Sequence, residues 1–176
     1  TKAALAMCEN IDWNVGRIVS KLQDLGIEEN TIIIYLSDNG PNGSRWNDGM
    51  KGRKGSTDEG GVRSPLVMQW KGVFEAGMKI PDIASSLDFL PTLAELAGIP
   101  YTTNHPLDGK SLKPLLLQEE GDWPERTLVN HWRGRTSIRT QQYRLSFDNQ
   151  LFDMVADPVQ YKDLSEELPD MMRQLM

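Results

Sequence analysis

Residues 31–70 read TIIIYLSDNGPNGSRWNDGMKGRKGSTDEGGVRSPLVMQW, and their reading decides the fold. The opening run, Thr31–Leu36, is β-branched and apolar with no polar alternation. A strand of that kind has both faces covered, as in a parallel sheet flanked by helices. It empties into Asp38 and Asn39, and Gly40 and Pro41 then turn the chain. From Leu36 to Pro65 there are seven glycines, two lysines and three arginines, which predict a flexible cationic loop. A second β-like run, Pro65–Trp70, follows. A buried strand that opens into a polar, glycine-rich loop is an α/β arrangement, in which ligands bind beyond the carboxyl ends of the strands.

The flanks agree with that class. Residues 3–25 carry Met7, Cys8, Ile11, Val15, Ile18, Val19, Leu22 and Leu25 at helical spacing, which predicts an amphipathic helix with Cys8 in its packed face. Gly26 closes it. Ser85–Ala97 reads as another helix, with Pro91 tolerated in its first turn or as a kink and Gly98 at its end. Leu112–Leu117 is a short apolar turn. From Thr127 the texture changes to three β-like runs (127–132, 135–147 and 150–154) between turn residues, then an acidic terminal helix starting near Pro169. This predicts a small antiparallel meander plus helix over 123–176, set apart from an α/β region over 1–122.

Composition narrows the function. The chain has 176 residues and a net charge of −6, which argues against a general nucleic-acid binder. Its densest basic cluster lies at 45–63, which points to a local anion site. The single cysteine excludes an internal disulfide and a Cys-based zinc cluster. No apolar run approaches the roughly 20 residues of a membrane span. The chain opens on Thr1 inside a helical pattern, which suggests part of a longer polypeptide.

Two groups in the central loop can carry chemistry. Asp38 and Asn39 offer hard oxygen donors suited to Ca²⁺ or Mg²⁺, though Asp-Asn-Gly by itself reads first as a plain turn. Lys54 sits in GRKGSTDEGGVRSP, where Gly52, Gly55, Gly60 and Gly61 let backbone approach a ligand. An ammonium there can neutralise a sulfate or phosphate oxygen, or offset charge on a leaving oxygen; the alternative is a solvated loop. The segment does not match a Walker A loop. Arg45 and Trp46 on the same loop are candidate substrate contacts. So are His131 and Arg133 in NHWRG, a stretch that otherwise reads as a turn around one buried Trp132.

Together the segments IDWNVGRIVSKLQDLGIEENTIIIYLSDNG, GRKGSTDEGGVRSPLVMQWKG, SSLDFLPTLAELAGIP, LDGKSLKPLL and LFDMVADPVQYKDLSE resemble the sulfatase family of the alkaline-phosphatase-like superfamily. The resemblance implies the C-terminal part of that α/β fold: the last part of the catalytic domain over 1–122 and a small antiparallel subdomain over 123–176. It implies that Asp38 and Asn39 are two ligands of a divalent ion, usually Ca²⁺, and that Lys54 binds the substrate's sulfate. Glu59, Gly60, Gly61 and Arg63 match positions that shape the loop, and Glu59 and Arg63 are spaced to pair with each other. The family's formylglycine arises in C-x-P-x-R; Cys8 in AMCENID does not match it. The expectation is therefore a fragment without its nucleophile, inactive alone, the formylglycine lying in an N-terminal half outside this chain. A phosphodiesterase or phosphonate hydrolase, and a non-catalytic domain binding sulfated glycans, are the alternatives. Expected partners are a sulfated small molecule or glycan, with self-association through an exposed sheet edge. The family's usual compartments are periplasmic, secreted or lysosomal.

Overall fold

A computed structural model describes residues 2–43 and 46–176. Helix α1 (Lys2–Asp24) follows the apolar stripe and stops at Gly26, whose φ of +68° is the left-handed cap that glycine adopts freely. The Gly26 amide donates to Gln23 O and the Ile27 amide to Leu22 O, so the orphan carbonyls of the last turn are satisfied. The helix packs on a 3₁₀ turn, Glu28–Asn30, and none of its residues is buried. Leu5, Met7, Ile11, Trp13 and Ile18 are exposed. Cys8 is exposed as well, not packed as its spacing predicted, because periodicity marks an apolar face without supplying its cover.

Strands β1 (Ile32–Leu36) and β2 (Leu66–Trp70) form a two-stranded sheet. Ile32, Ile33 and Ile34 are half-buried and Tyr35 and Leu36 exposed, so β1 does not have the two covered faces expected of it. Among the described residues, helix α1 has no buried side chain, so it does not close a second face over them. The Trp70 indole Nε1 donates to Glu29 O, and Lys71 pairs with Glu28, pulling that carboxyl below its ordinary range. Residues 2–35 with Leu66–Met78 form one compact unit; Leu36–Pro65 with Lys79–Met176 form a second.

In the second unit, helix α2 (Glu59–Val62) is a single turn, and helix α3 (Phe89–Leu96) runs on from a 3₁₀ turn at Ser86–Asp88. Ser85 caps that turn, and Pro91 sits in the first turn of α3, where a missing amide costs nothing. Helix α4 (Lys113–Leu116) is the predicted apolar turn. Asp88, 0% exposed, ties these pieces together. Its carboxylate accepts from the Ser85 and Lys110 amides at 2.7 and 2.9 Å and takes a two-pronged pair from Arg126 at 2.8 and 2.9 Å.

Strands β3 (Leu128–Trp132), β4 (Arg135–Arg139), β5 (Tyr143–Leu145) and β6 (Leu151–Asp153) form an antiparallel sheet in chain order, the predicted meander. A turn at residues 140–142 divides the long middle run in two, and Arg139 faces Arg144 across it. Helix α5 (Pro169–Leu175) packs Leu175 onto Leu145 and Leu151, with Ile138, Leu164, Leu168 and Met171 around them. Among the described residues no helix is long and apolar enough to cross a membrane.

Arg126→Met leaves the Asp88 carboxylate buried without its cation. It is expected to cost about 3–5 kcal/mol of unfolding free energy in urea titration. Lys113→Met, which removes only partly exposed, solvent-screened pairs to Glu95 and Glu119, is expected to leave the urea midpoint close to that of the parent. A second expectation concerns acid. The Ala156 amide first, then Gln142 and the Val155 amide, hold the Asp153 carboxyl below the usual range against a smaller opposing effect of burial. A lowered folded-state pKa stabilises above the unfolded value, about 3.9, and the contribution is lost as pH falls through the folded value. Asp153→Ala is expected to flatten the loss of stability below about pH 4, read from thermal midpoints across pH.

Candidate functional site

The loop between β1 and β2 starts and ends at one place. The Ser37 amide donates to Pro65 O and the Ser64 hydroxyl to Ser37 O, closing its base. Further bonds brace the interior. The Gly40 amide meets Gly61 O at 2.9 Å, the Lys54 amide meets Pro41 O at 2.9 Å, and the Gly60 amide meets Lys51 O at 2.8 Å. Asn47 Nδ2 donates to Met50 O and Gly52 O. A Cβ on Gly40 would fall 1.9 Å from Gly60 O, a backbone atom that cannot step aside. Gly40, Gly60 and Gly61 therefore serve close approach and Gly49, Gly52 and Gly55 a positive φ, and the flexible loop expected from composition is an internally hydrogen-bonded one.

The underside of the loop is buried polar structure. Thr57, Asp58, Glu59, Gly60 and Gly61 are all buried. Glu59 Oε2 lies 2.7 Å from Arg144 Nη2 and 3.5 Å from Arg139 Nε, and Arg63 reaches Oε1 at 3.6 Å. The predicted Glu59–Arg63 pair thus exists but is the longest and most exposed of the three. Thr57 O accepts from both Arg144 Nη1 and the Ser137 hydroxyl at 2.7 Å, and the Glu59 amide donates to Gln160 Oε1 at 2.9 Å. Lys51 Nζ donates to Gln150 Oε1 and sits 4.8 Å from the Phe152 ring centroid. Burial pulls the Arg139 guanidinium below its usual pKa, and Glu59 opposes that shift. Arg139, Ser137, Arg144 and Gln160 carry no local motif and were not legible in the sequence. The one hint was a pair of arginines inside otherwise β-like runs.

The opposite side is open. Lys54 is exposed, and no ion pair joins it among the described residues. Gly55 beside it has φ +88°. The Trp132 indole nitrogen lies 4.0 Å from where a Gly55 Cβ would stand, so the tip of the β3–β4 hairpin adjoins the lysine turn. Trp132 is 51% exposed, against the reading of a turn around a buried indole. Its neighbours come with it. His131 Nδ1 is 2.8 Å from the Thr136 hydroxyl, and the Arg133 guanidinium lies 5.5 Å from the Trp132 ring centroid. Arg133 has φ +49° in the hairpin turn, a conformation that a bulky side chain seldom adopts. Trp46 is 78% exposed. Arg45 lies outside the described residues.

Asp38 is exposed and Asn39 half-buried in the bend that follows β1. The expected Ca²⁺ or Mg²⁺ site is corrected here. Among the described residues no group of three or more His, Cys, Asp or Glu side chains converges to hold a metal ion. Ca²⁺ takes six to eight oxygens and Mg²⁺ six, and these two residues do not assemble such a shell.

Residues 2–99 match the Sulfatase family, and residues 54–175 match "N-sulphoglucosamine sulphohydrolase, C-terminal". Arylsulfatase A of Homo sapiens is 40% identical over 162 residues, 84% of this chain and 31% of that protein. A sulfatase of Formosa agariphila is 35% identical over 181 residues, 93% of this chain and 32% of its own length. The crystal structure of Ps i-CgsB in complex with k-i-k-neocarrahexaose superposes with a TM-score of 0.82 at 30% identity, covering 94% of this chain and 39% of that one. A structure in complex with its substrate, D-glucosamine-2-N,6-O-disulfate, superposes at 0.68 and 26% identity over 94% of this chain and 36% of its own. The chain thus spans about a third of the length of these relatives. These findings also correct the expectation of an inert fragment lacking its formylglycine. The likeness runs through about 94% of the chain, and Cys8, near the N-terminus, is unpaired and exposed.

Gly40→Ala is expected to speed amide exchange at Lys54 and Gly61 by at least tenfold, because its Cβ would open the brace. Gly43→Ala, which meets nothing within 4 Å and needs no positive φ, is expected to leave those rates within about twofold of the parent.

Proposed function

The chain belongs to the sulfatase family, and from that premise we propose that it serves the hydrolysis of a sulfate ester carried by a sugar, with Lys54 holding the sulfate group. The observation that carries the reading is an exposed ammonium on a rigid, glycine-braced turn, with an exposed indole at its side. In the net reaction water replaces the ester oxygen on sulfur. The bond between sulfur and that oxygen breaks, the alcohol leaves with a proton, and inorganic sulfate remains. Negative charge grows on the leaving oxygen as the bond stretches. A fixed cation placed there offsets that charge without the reorganisation that water would need. Held in place by the hydrogen bond that its backbone amide donates to Pro41 O, Lys54 can also bind the sulfate oxygens in the ground state.

The sugar part of the substrate falls to the hairpin tip. The Trp132 face suits the apolar side of a pyranose, and His131 and Arg133 supply a hydrogen-bonding group and a second cation. Arg45 and Trp46 are further substrate contacts from the lysine's own loop. In this reading 1–122 belongs to the catalytic α/β domain and 123–176 is the smaller C-terminal part that brings the hairpin. The bound glucosamine disulfate of one structural relative supports a sulfated sugar over a simple aryl sulfate.

Lys54→Ala is expected to lower kcat/KM for a sulfated monosaccharide by about 10²–10³-fold, with Lys54→Arg recovering part of the loss. Steady-state assay of sulfate release by the purified protein checks this. Unchanged kcat/KM in Lys54→Ala would overturn the assignment.

A further inference from the structure

We infer that Glu59 and Arg144 are positioning residues for Lys54: the C-terminal sheet sets the place of the sulfate-binding ammonium through one buried ion pair. The inference rests on the reading of Lys54 given above and extends it to residues that cannot touch substrate. Glu59 and Arg144 are 5% and 2% exposed.

The Gly60 amide returns to Lys51 O, so residues 51–60 form a closed ring with Lys54 on its outer arc. Inside the ring the Ser56 amide donates to Arg53 O, which fixes the turn that carries Lys54 and Gly55. The ring touches the sheet where Arg144 spans two of its residues, with Nη2 on the Glu59 carboxylate and Nη1 on Thr57 O. The guanidinium plane is rigid, so one arginine fixes the spacing and the tilt of both residues at once. Ser137 and Gln160 add bonds to Thr57 O and to the Glu59 amide from the same unit. Lys51, the other end of the ring, is held by Gln150 and Phe152. These anchors, from Ser137, Arg144, Gln150, Phe152 and Gln160, all come from residues 137–160, and the Lys54 side chain is exposed on the outer arc.

The composition of the cluster supports this over a purely stabilising role. One carboxylate faces Arg144, Arg139 and Arg63, and the two nearest guanidiniums are buried. Taking such charges out of water costs several kcal/mol per ion, and an apolar replacement is often as stable. What an apolar contact would lose is direction. A catalytic group misplaced by about 1 Å can cost about a hundredfold in rate.

The test uses Glu59→Gln, which keeps the shape and removes the charge, and Arg144→Lys, which keeps the charge and loses the two-pronged hold. Both are assayed for the KM–kcat split on a sulfated monosaccharide and for competitive inhibition by inorganic sulfate. Glu59→Gln is expected to raise KM and the sulfate inhibition constant together by about tenfold or more, with Arg144→Lys in between. Ser137→Ala removes one hydroxyl from Thr57 O, and it is expected to move both constants in the same direction by a smaller factor. It keeps the test open if Glu59→Gln fails to fold. A lowered melting temperature with unchanged KM and unchanged sulfate inhibition in every folded variant would overturn the inference. Lys54→Ala separates the two readings. If it moves the constants and the other variants do not, positioning alone falls; if none moves them, the sulfate assignment falls and takes positioning with it.

Discussion

A single buried carboxylate, Glu59, fixes where the functional loop stands. It meets Arg144 at 2.7 Å and Arg139 at 3.5 Å, and its own amide is taken by Gln160. Without these bonds the segment Lys51–Gly61 would be a glycine-rich strip of chain with three cations and no preferred place. With them it is a braced ring. The ordering entropy of such a glycine-rich segment is large, of the order of 1–2 kcal/mol per residue for backbone alone. It is met by a short list of long-range polar contacts, since no apolar side chain of the loop lies in the buried cluster. That makes the loop's shape dependent on the sheet β3–β6 and on the residues just after it.

The same dependence explains why sequence reading reached the site only partly. Lys54 and its glycines form a local text, and the resemblance to sulfatases rests on such text. Arg144 is 85 residues from Glu59 and stands in YRLSF, a run that reads as an ordinary strand. Burial of an arginine there depends on a loop folding onto the sheet, and no local window records that event. Glu59 and Arg63 illustrate the limit from the other side. Their four-residue spacing predicted a pair correctly, but it concealed the two partners that lie closer to the carboxylate.

The fold was more legible than its packing. Periodicity placed α1 and α3 to within a few residues and Pro169 marked the start of α5, because these are properties of the segment itself, whereas the run 135–147 that reads as one strand is two, β4 and β5. Coverage is a property of neighbours. The unalternating run Thr31–Leu36 predicts two covered faces and the helical spacing predicts a packed Cys8; the strand is half-buried to exposed and the cysteine exposed. Asp38 and Asn39 have the donor atoms of a metal site without the surrounding groups that would complete one among the described residues. Donor chemistry can be read from a tripeptide, but convergence cannot.

On this reading the turn at Lys54 is a preformed anion site, shaped before substrate arrives. A nitrogen-detected NMR titration of the protein with inorganic sulfate against chloride tests it most directly. The account predicts saturable shifts at the Lys54 ammonium, the Gly55 amide and the Trp132 indole, with the buried Thr57–Gly61 amides unmoved. Shifts spread evenly over surface lysines, or a loop whose Thr57–Gly61 amides reorganise as sulfate binds, would contradict it.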